Sequence, residues 1–163
     1  MKAYLGIDPG KSGAVCIIYP DKIKAYKCPT EASEMSDIIR HFINVCSIED
    51  YETIIAIEKV WAQPTNGTRH AFAFGTNYGM WLGVLGSHRI NPILLLPTKW
   101  QSIYKEEYDI PKEYINKKKK LKEIAQGYVD FNVTLATADA ILIARYLKEK
   151  YNGKKGIQND IQC

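Results

Sequence analysis

The chain has 163 residues, 46% apolar and 25% charged, an ordinary balance for a soluble globular protein with one real core. Its formal charge of +4 is mild; it permits a nucleic-acid partner without demanding one. No apolar run reaches membrane-spanning length, and the chain meets Asp8 too early for a signal-peptide core.

Three strand-like runs come first, at residues 3–8, 14–19 and 23–28, joined by turn residues Gly10, Ser12 and Gly13 and by Pro20-Asp21. Thr30-Glu31 and Ser33-Glu34 then offer helix starts. Met35, Ile38, Ile39, Phe42, Ile43 and Cys46 follow at helical spacing, which predicts an amphipathic helix with His41 among its apolar neighbours. Residues 53–58 are almost continuously apolar until Glu58, as in a strand buried on both faces. The glycine- and aromatic-rich stretch 61–86 carries Phe72, Phe74, Tyr78, Trp81 and Leu82 at helical spacing, with more apolar bulk than one core face requires. Residues 92–96 read as a fifth strand, 98–114 as loop with short helical turns, and 117–127 and 138–150 as helices. A polar tail, 151–163, is expected to fray beyond a domain of residues 1–150. This order predicts an α/β fold, a mixed five-stranded sheet with helices on both faces.

The four cysteines, Cys16, Cys28, Cys46 and Cys163, form no Cys-x-x-Cys pair. That argues against a zinc or redox motif and for reduced thiols in a cytoplasmic-type compartment. His70 and His88 lack the spacing of a paired metal site.

Three carboxylates stand where packing does not explain them. Asp8 ends the first strand before Pro9-Gly10, Glu58 ends the apolar run 53–57, and Asp139 opens the last helix. Taken singly, each has a plain reading: a turn aspartate, a solvated strand end, a helix-start acid favoured by the macrodipole. Together, on separate elements that one sheet can unite, they are hard oxygen ligands suited to Mg²⁺ or Mn²⁺. Close carboxylates repel one another unless cations lie between them.

Gly6-Ile-Asp-Pro-Gly10, Ile57-Glu-Lys-Val-Trp61 and Ala138-Asp-Ala140 with the following Ile-Leu-Ile-Ala occur in that order. The set resembles the RuvC family of Holliday-junction resolvases, within the RNase H-like superfamily, over residues 3–148. Residues 72–79 and 97–100 resemble that family's phage and mobile-element branch in particular. The resemblance implies an RNase H-like fold and a homodimer. It further implies an endodeoxyribonuclease for four-way junctions using two Mg²⁺ or Mn²⁺ ions, with Asp8, Glu58 and Asp139 as the catalytic metal ligands. Many family members carry a fourth ligand three residues before the last aspartate; here that position is Ala136. Water, Asp130, Asn132 or Thr134 are the candidate substitutes.

By the same resemblance Trp61, three residues after Glu58, stacks on bases at the junction. Lys59, Arg69, Lys99 and the run Lys117, Lys118, Lys119 and Lys120, with Lys105, are candidate phosphate contacts. Family members place basic residues on the helix before the last motif, some near the chemistry, and which lysine does so here stays open. Three other readings compete: an RNase H-like nuclease for hybrids, flaps or other branched DNA, a junction-binding protein without catalysis, and an actin-like ATPase sharing the glycine-rich first turn.

Overall fold

Gly10 carries the first reversal of the chain at a φ of 115°, where L side chains are strained, and Gly13 donates its N–H to the Gly10 carbonyl at 2.9 Å. The turn joins β1 (Lys2–Asp8) to β2 (Ala14–Ile18), so the two strands run antiparallel with Asp8 opposite Ala14. The structure, a computed structural model, describes residues 1–60 and 67–152. The remaining elements are β3 (Ile23–Lys27), α1 (Ala32–Ile48), β4 (Glu52–Glu58), α2 (Thr68–Ser87), β5 (Ile93–Leu95), α3 (Pro97–Glu107), α4 (Tyr114–Gln126) and α5 (Leu135–Tyr151).

The strands form one sheet in the order β3-β2-β1-β4-β5. The first three make an antiparallel meander, while β4 pairs parallel to β1 and β5 parallel to β4. Strand side chains alternate between the faces, and each face has its own apolar cluster. Leu5, Ile7, Val15, Ile55 and Ile57 pack with α1 and α2, while Tyr4, Cys16, Ala56 and Leu95 pack with α3, α4 and α5. The predicted α/β class, with a mixed five-stranded sheet covered on both faces, is the one observed.

Several expectations need correction. Residues 97–107 form helix α3, not loop. Pro97 sits at its N-terminus, where a missing N–H is harmless, and Trp100, Gln101 and Tyr104 turn inward. Those few buried contacts outweigh a largely polar composition. Helix α5 begins at Leu135, because Thr134 and Thr137 close a reciprocal capping box; Asp139 therefore lies in its second turn, beyond the first-turn setting of a helix-start acid. His41 is exposed on α1, since Met35, Ile39, Phe42 and Cys46 make up the inward face. Cys16, Cys28 and Cys46 are free and buried; Cys163 and the tail from residue 153 lie outside the described residues. Among the described residues, no helix is long and apolar enough to cross a membrane.

Candidate active site

Asp8 and Glu58 are the last residues of the neighbouring parallel strands β1 and β4, whose register pairs Ile7 with Ile57. Alternate residues of both strands, Tyr4 and Ala56 among them, face α5; the strand period therefore aims both carboxylates at that same side. Helix α5 lies against the strand backbone. A Cβ on Gly6 would come within 2.6 Å of the Ala144 nitrogen and 2.9 Å of the Ala140 carbonyl oxygen. Only a residue without a side chain allows this approach, and it places Asp139 beside the two strand ends.

Asp139 is 4% exposed. Its Oδ2 accepts from the Lys118 ammonium on α4, and its Oδ1 is buried without a partner. Glu58 Oε1 accepts from the Trp100 indole N–H at 2.7 Å.

The acids act on one another's ionisation. Burial raises Asp8 well above the usual carboxylate range, Asp139 and then Glu58 raise it further, and Lys118 opposes them. Burial likewise lifts Glu58 to about 7, against the Trp100 hydrogen bond; Asp139 adds to the lift, and Lys118 and Lys117 pull it down. Burial also works to discharge Lys118, but the charge and hydrogen bond of Asp139, with Asp8, outweigh it and hold its pKa high. Lys117 is lowered by burial and by repulsion from Lys105.

Among the described residues, no three His, Cys, Asp or Glu side chains are closed into a set that encloses an ion. The Lys118 ammonium stands among the acids, bound to Asp139 and opposing the upward push on Asp8 and Glu58. The donor set suits a hard divalent ion: carboxylate oxygens only, one of them buried and unsatisfied.

The other predicted residues divide. Lys59 is exposed directly after Glu58, its N–H bonded to the Leu95 carbonyl at 2.8 Å. Arg69 is exposed in the first turn of α2, and Lys99 is exposed on α3. Of the lysine run, Lys117 and Lys118 face the acids, Lys119 is exposed, and Lys120 pairs with Glu123 at 3.5 Å on the surface. Trp61 lies outside the described residues.

No substitute for the Ala136 position emerges from the named candidates. Thr134 spends its hydroxyl on the Thr137 N–H and hydroxyl. Asp130 lines a hollow with Asp21 and Lys22 at the β2–β3 turn, the sheet end opposite Asp8. Asn132 is exposed.

Sequence reasoning assigns no role to Trp100 or Lys27. The register carries a row across the sheet from Asp8 through Ala14 to Lys27, which sets exposed Lys27 about 10 Å from Asp8, two strand spacings away on the same face. Asn77 on α2 also went unassigned; its Oδ1 accepts the Gly10 N–H at 2.7 Å and so ties the turn after Asp8 to α2.

No protein-family model matches the chain, and no curated protein matches it in sequence. Solved structures match it in fold. T. thermophilus RuvC in complex with a Holliday junction substrate aligns with a TM-score of 0.56 at 15% identity, covering 92% of this chain and 96% of that one. A second Thermus thermophilus RuvC structure aligns at 0.57 and 15% identity, over 91% and 96%. The chain thus has an RNase H-like α/β fold of the RuvC type.

Proposed function

We propose that this protein is a divalent-metal-dependent endodeoxyribonuclease that resolves four-way DNA junctions by paired phosphodiester hydrolysis. The observation that carries the reading is the placement of Asp8 and Glu58 at neighbouring strand ends, on the face against which α5 packs with Asp139, in a fold shared with a RuvC solved on a Holliday junction substrate. Asp8, Glu58 and Asp139 are the residues to hold Mg²⁺ or Mn²⁺, two ions per site. When bound, such ions lower the pKa of an attacking water and offset charge on the leaving oxygen.

The chain supplies the rest. Lys118 is the cation beside Asp139, and it is the member of the lysine run we assign to the chemistry, where it would donate to an oxygen of the scissile phosphate. Lys59, Arg69, Lys99, Lys117, Lys119 and Lys120 would bind the flanking phosphates, each contact adding salt-dependent affinity. Trp61 would stack on an opened base step, a contact of about 1–3 kcal/mol.

A homodimer would present two such sites to opposing strands. The outer face of α2 supports it: Phe72, Gly75, Thr76, Gly79 and Gly83 are exposed, and a Cβ on any of these glycines would meet nothing within 4 Å. Each glycine inside an exposed helix costs about 1 kcal/mol relative to alanine, a cost that close approach of a second α2 would offset. The stretches 72–79 and 97–100 favour the phage and mobile-element branch of the resolvase family, with a role in DNA recombination or repair.

The test is a nicking assay on immobile and mobile four-way junctions, a flap and a hybrid duplex, in Mg²⁺, Mn²⁺ and chelator, for the parent and Asp8→Asn. Paired nicks in junctions, lost in chelator and in Asp8→Asn, support the proposal. Preference for the flap or hybrid moves the substrate class. Junction binding without nicks in either metal favours a non-catalytic binding protein.

A further inference from the structure

We infer that Trp100 is a positioning residue: its indole N–H holds one oxygen of Glu58, so that the other is the oxygen presented to a cation. The inference rests on the reading of Glu58 as a metal ligand and adds to it the element that sets its orientation.

A glutamate at a strand end has three rotatable bonds, and the strand backbone alone does not fix where its carboxylate lies. Something else must hold it. The Trp100 Nε1–Glu58 Oε1 bond is 2.7 Å long, short for an N–H donor and in the range of charge-assisted bonds. Trp100 itself has no freedom to follow a drifting carboxylate, because it is fully buried. Its ring meets Tyr104 edge-on at 6.3 Å between centroids, and the Tyr104 hydroxyl donates to the Leu142 carbonyl on α5 at 2.9 Å. The orientation of Glu58 is thereby referred to α5, the helix that carries Asp139.

The choice of an indole is chemically apt. It donates one hydrogen bond and accepts none, and it does not titrate. It therefore orients the carboxylate without competing for it as a cation, in contrast to Lys118 on Asp139. Loss of a partner of this kind typically weakens metal affinity 10–100-fold.

The full-length chain is the test object, with Mn²⁺ alone as the probe and free Mn²⁺ counted by electron paramagnetic resonance. Trp100 is replaced by phenylalanine and, to preserve the two-ring bulk, by benzothienylalanine, in which sulfur stands where the N–H was. Thermal unfolding in chelator checks the fold. The inference expects the benzothienyl protein to unfold near the parent temperature and to bind Mn²⁺ about 10–100-fold more weakly. The parent's Trp100 indole ¹H–¹⁵N resonance should move on adding Mg²⁺ and stay still in Glu58→Gln. Mn²⁺ affinity within twofold of the parent in the benzothienyl protein, while Glu58→Gln loses it, overturns the role of Trp100 alone. Unchanged affinity in Glu58→Gln overturns the metal-ligand reading of Glu58, and the present inference with it.

Discussion

Lys118 and Asp139 join α4 to α5 through a single charged contact, the ammonium taking one carboxylate oxygen and leaving the other buried and unpaired. With 28% of the lysine side chain and 6% of the aspartate exposed, the aspartate depends on this partner far more than the lysine does. Removing one member of a buried pair strands the other's charge. Lys118→Met is therefore expected to cost the metal-free protein about 2–3 kcal/mol, below the fully buried case because the lysine is partly solvated. Urea unfolding in chelator measures the loss, and Mg²⁺ should recover part of it. A more stable metal-free variant would contradict the dependence of Asp139 on Lys118.

Asp8 stands in the opposite position, with burial and two like charges all working against its ionised form. Asp8→Asn removes that repulsion while keeping the shape of the side chain. The metal-free variant should gain stability, because the neutral amide relieves the burial of a charge and its repulsion by Asp139 and Glu58. In the same protein nicking should vanish while junction binding in chelator persists. Unfolding midpoints and gel-shift titrations on one preparation read both effects, and loss of binding together with nicking would indicate misfolding.

Glu58 ties stability to pH with a definite sign. Burial lifts it from an ordinary 4.5 to about 7, so between those values the folded, metal-free chain holds a proton that the unfolded chain has released. Stability therefore falls as pH rises through that window, by on the order of 3 kcal/mol for Glu58. Asp8, raised in the same direction, steepens the slope. Saturating Mg²⁺ should reverse it, since the ion binds the deprotonated acids and releases their protons. Glu58→Gln should flatten the metal-free profile. Urea midpoints taken across the window, with chelator and with Mg²⁺, check all three statements; a flat profile in the chelated parent would contradict the lifted pKa.

The strands are legible in sequence because apolar runs and turn residues act locally. Residues 3–8, 14–19 and 53–58 coincide with β1, β2 and β4 to within a residue at their ends. Helix α3 is not legible, since its inward face consists of Trp100, Gln101 and Tyr104 within an otherwise polar stretch, and only the assembled sheet makes that face buried. Asp8 and Glu58 can be found because carboxylates at apolar strand ends have no packing role, and Asp139 because it interrupts the apolar run of the last helix. The choice of Lys118 among four lysines also leaves a signal: Leu121, Ile124 and Ala125 set the inward side of α4, and Lys117 and Lys118 precede Leu121 by one helical turn. The Trp100–Glu58 bond leaves none, because a donor and an acceptor 42 residues apart meet only in the folded chain.

Gly6 measures how tightly the last helix is held to the site. An added methyl would lie 2.6 Å from the Ala144 backbone nitrogen, and neither the central strand nor a helix interior can yield cheaply at such a distance. Gly6→Ala should destabilise by about 3 kcal/mol, the upper end of ordinary overpacking. It should also lower Mn²⁺ affinity by displacing Asp139 from Asp8. Denaturant unfolding and Mn²⁺ titration test the two effects, and a variant with the parent's stability would show that α5 is free to move off β1.

The face of α2 turned away from the sheet gives the sharpest test of assembly. From Ala71 to Ser87 the helix carries no Asp, Glu, Lys or Arg, and its exposed glycines leave a shallow channel where only a closely approaching backbone would be in contact. Gly79→Leu fills the middle of that channel with a branched side chain and, on an open surface, strains nothing within the monomer. Alanine-like gain in helix propensity should leave the isolated chain equal or more stable, by up to about 1 kcal/mol. If α2 pairs with its copy, the same change separates the backbones and shifts the protein toward monomer. Paired cutting should then give way to single nicks, because one bound subunit reaches one strand. Sedimentation velocity across a concentration series and the ratio of nicked to resolved junction measure the two consequences. A variant that keeps the parent's sedimentation behaviour would place the partner on another face.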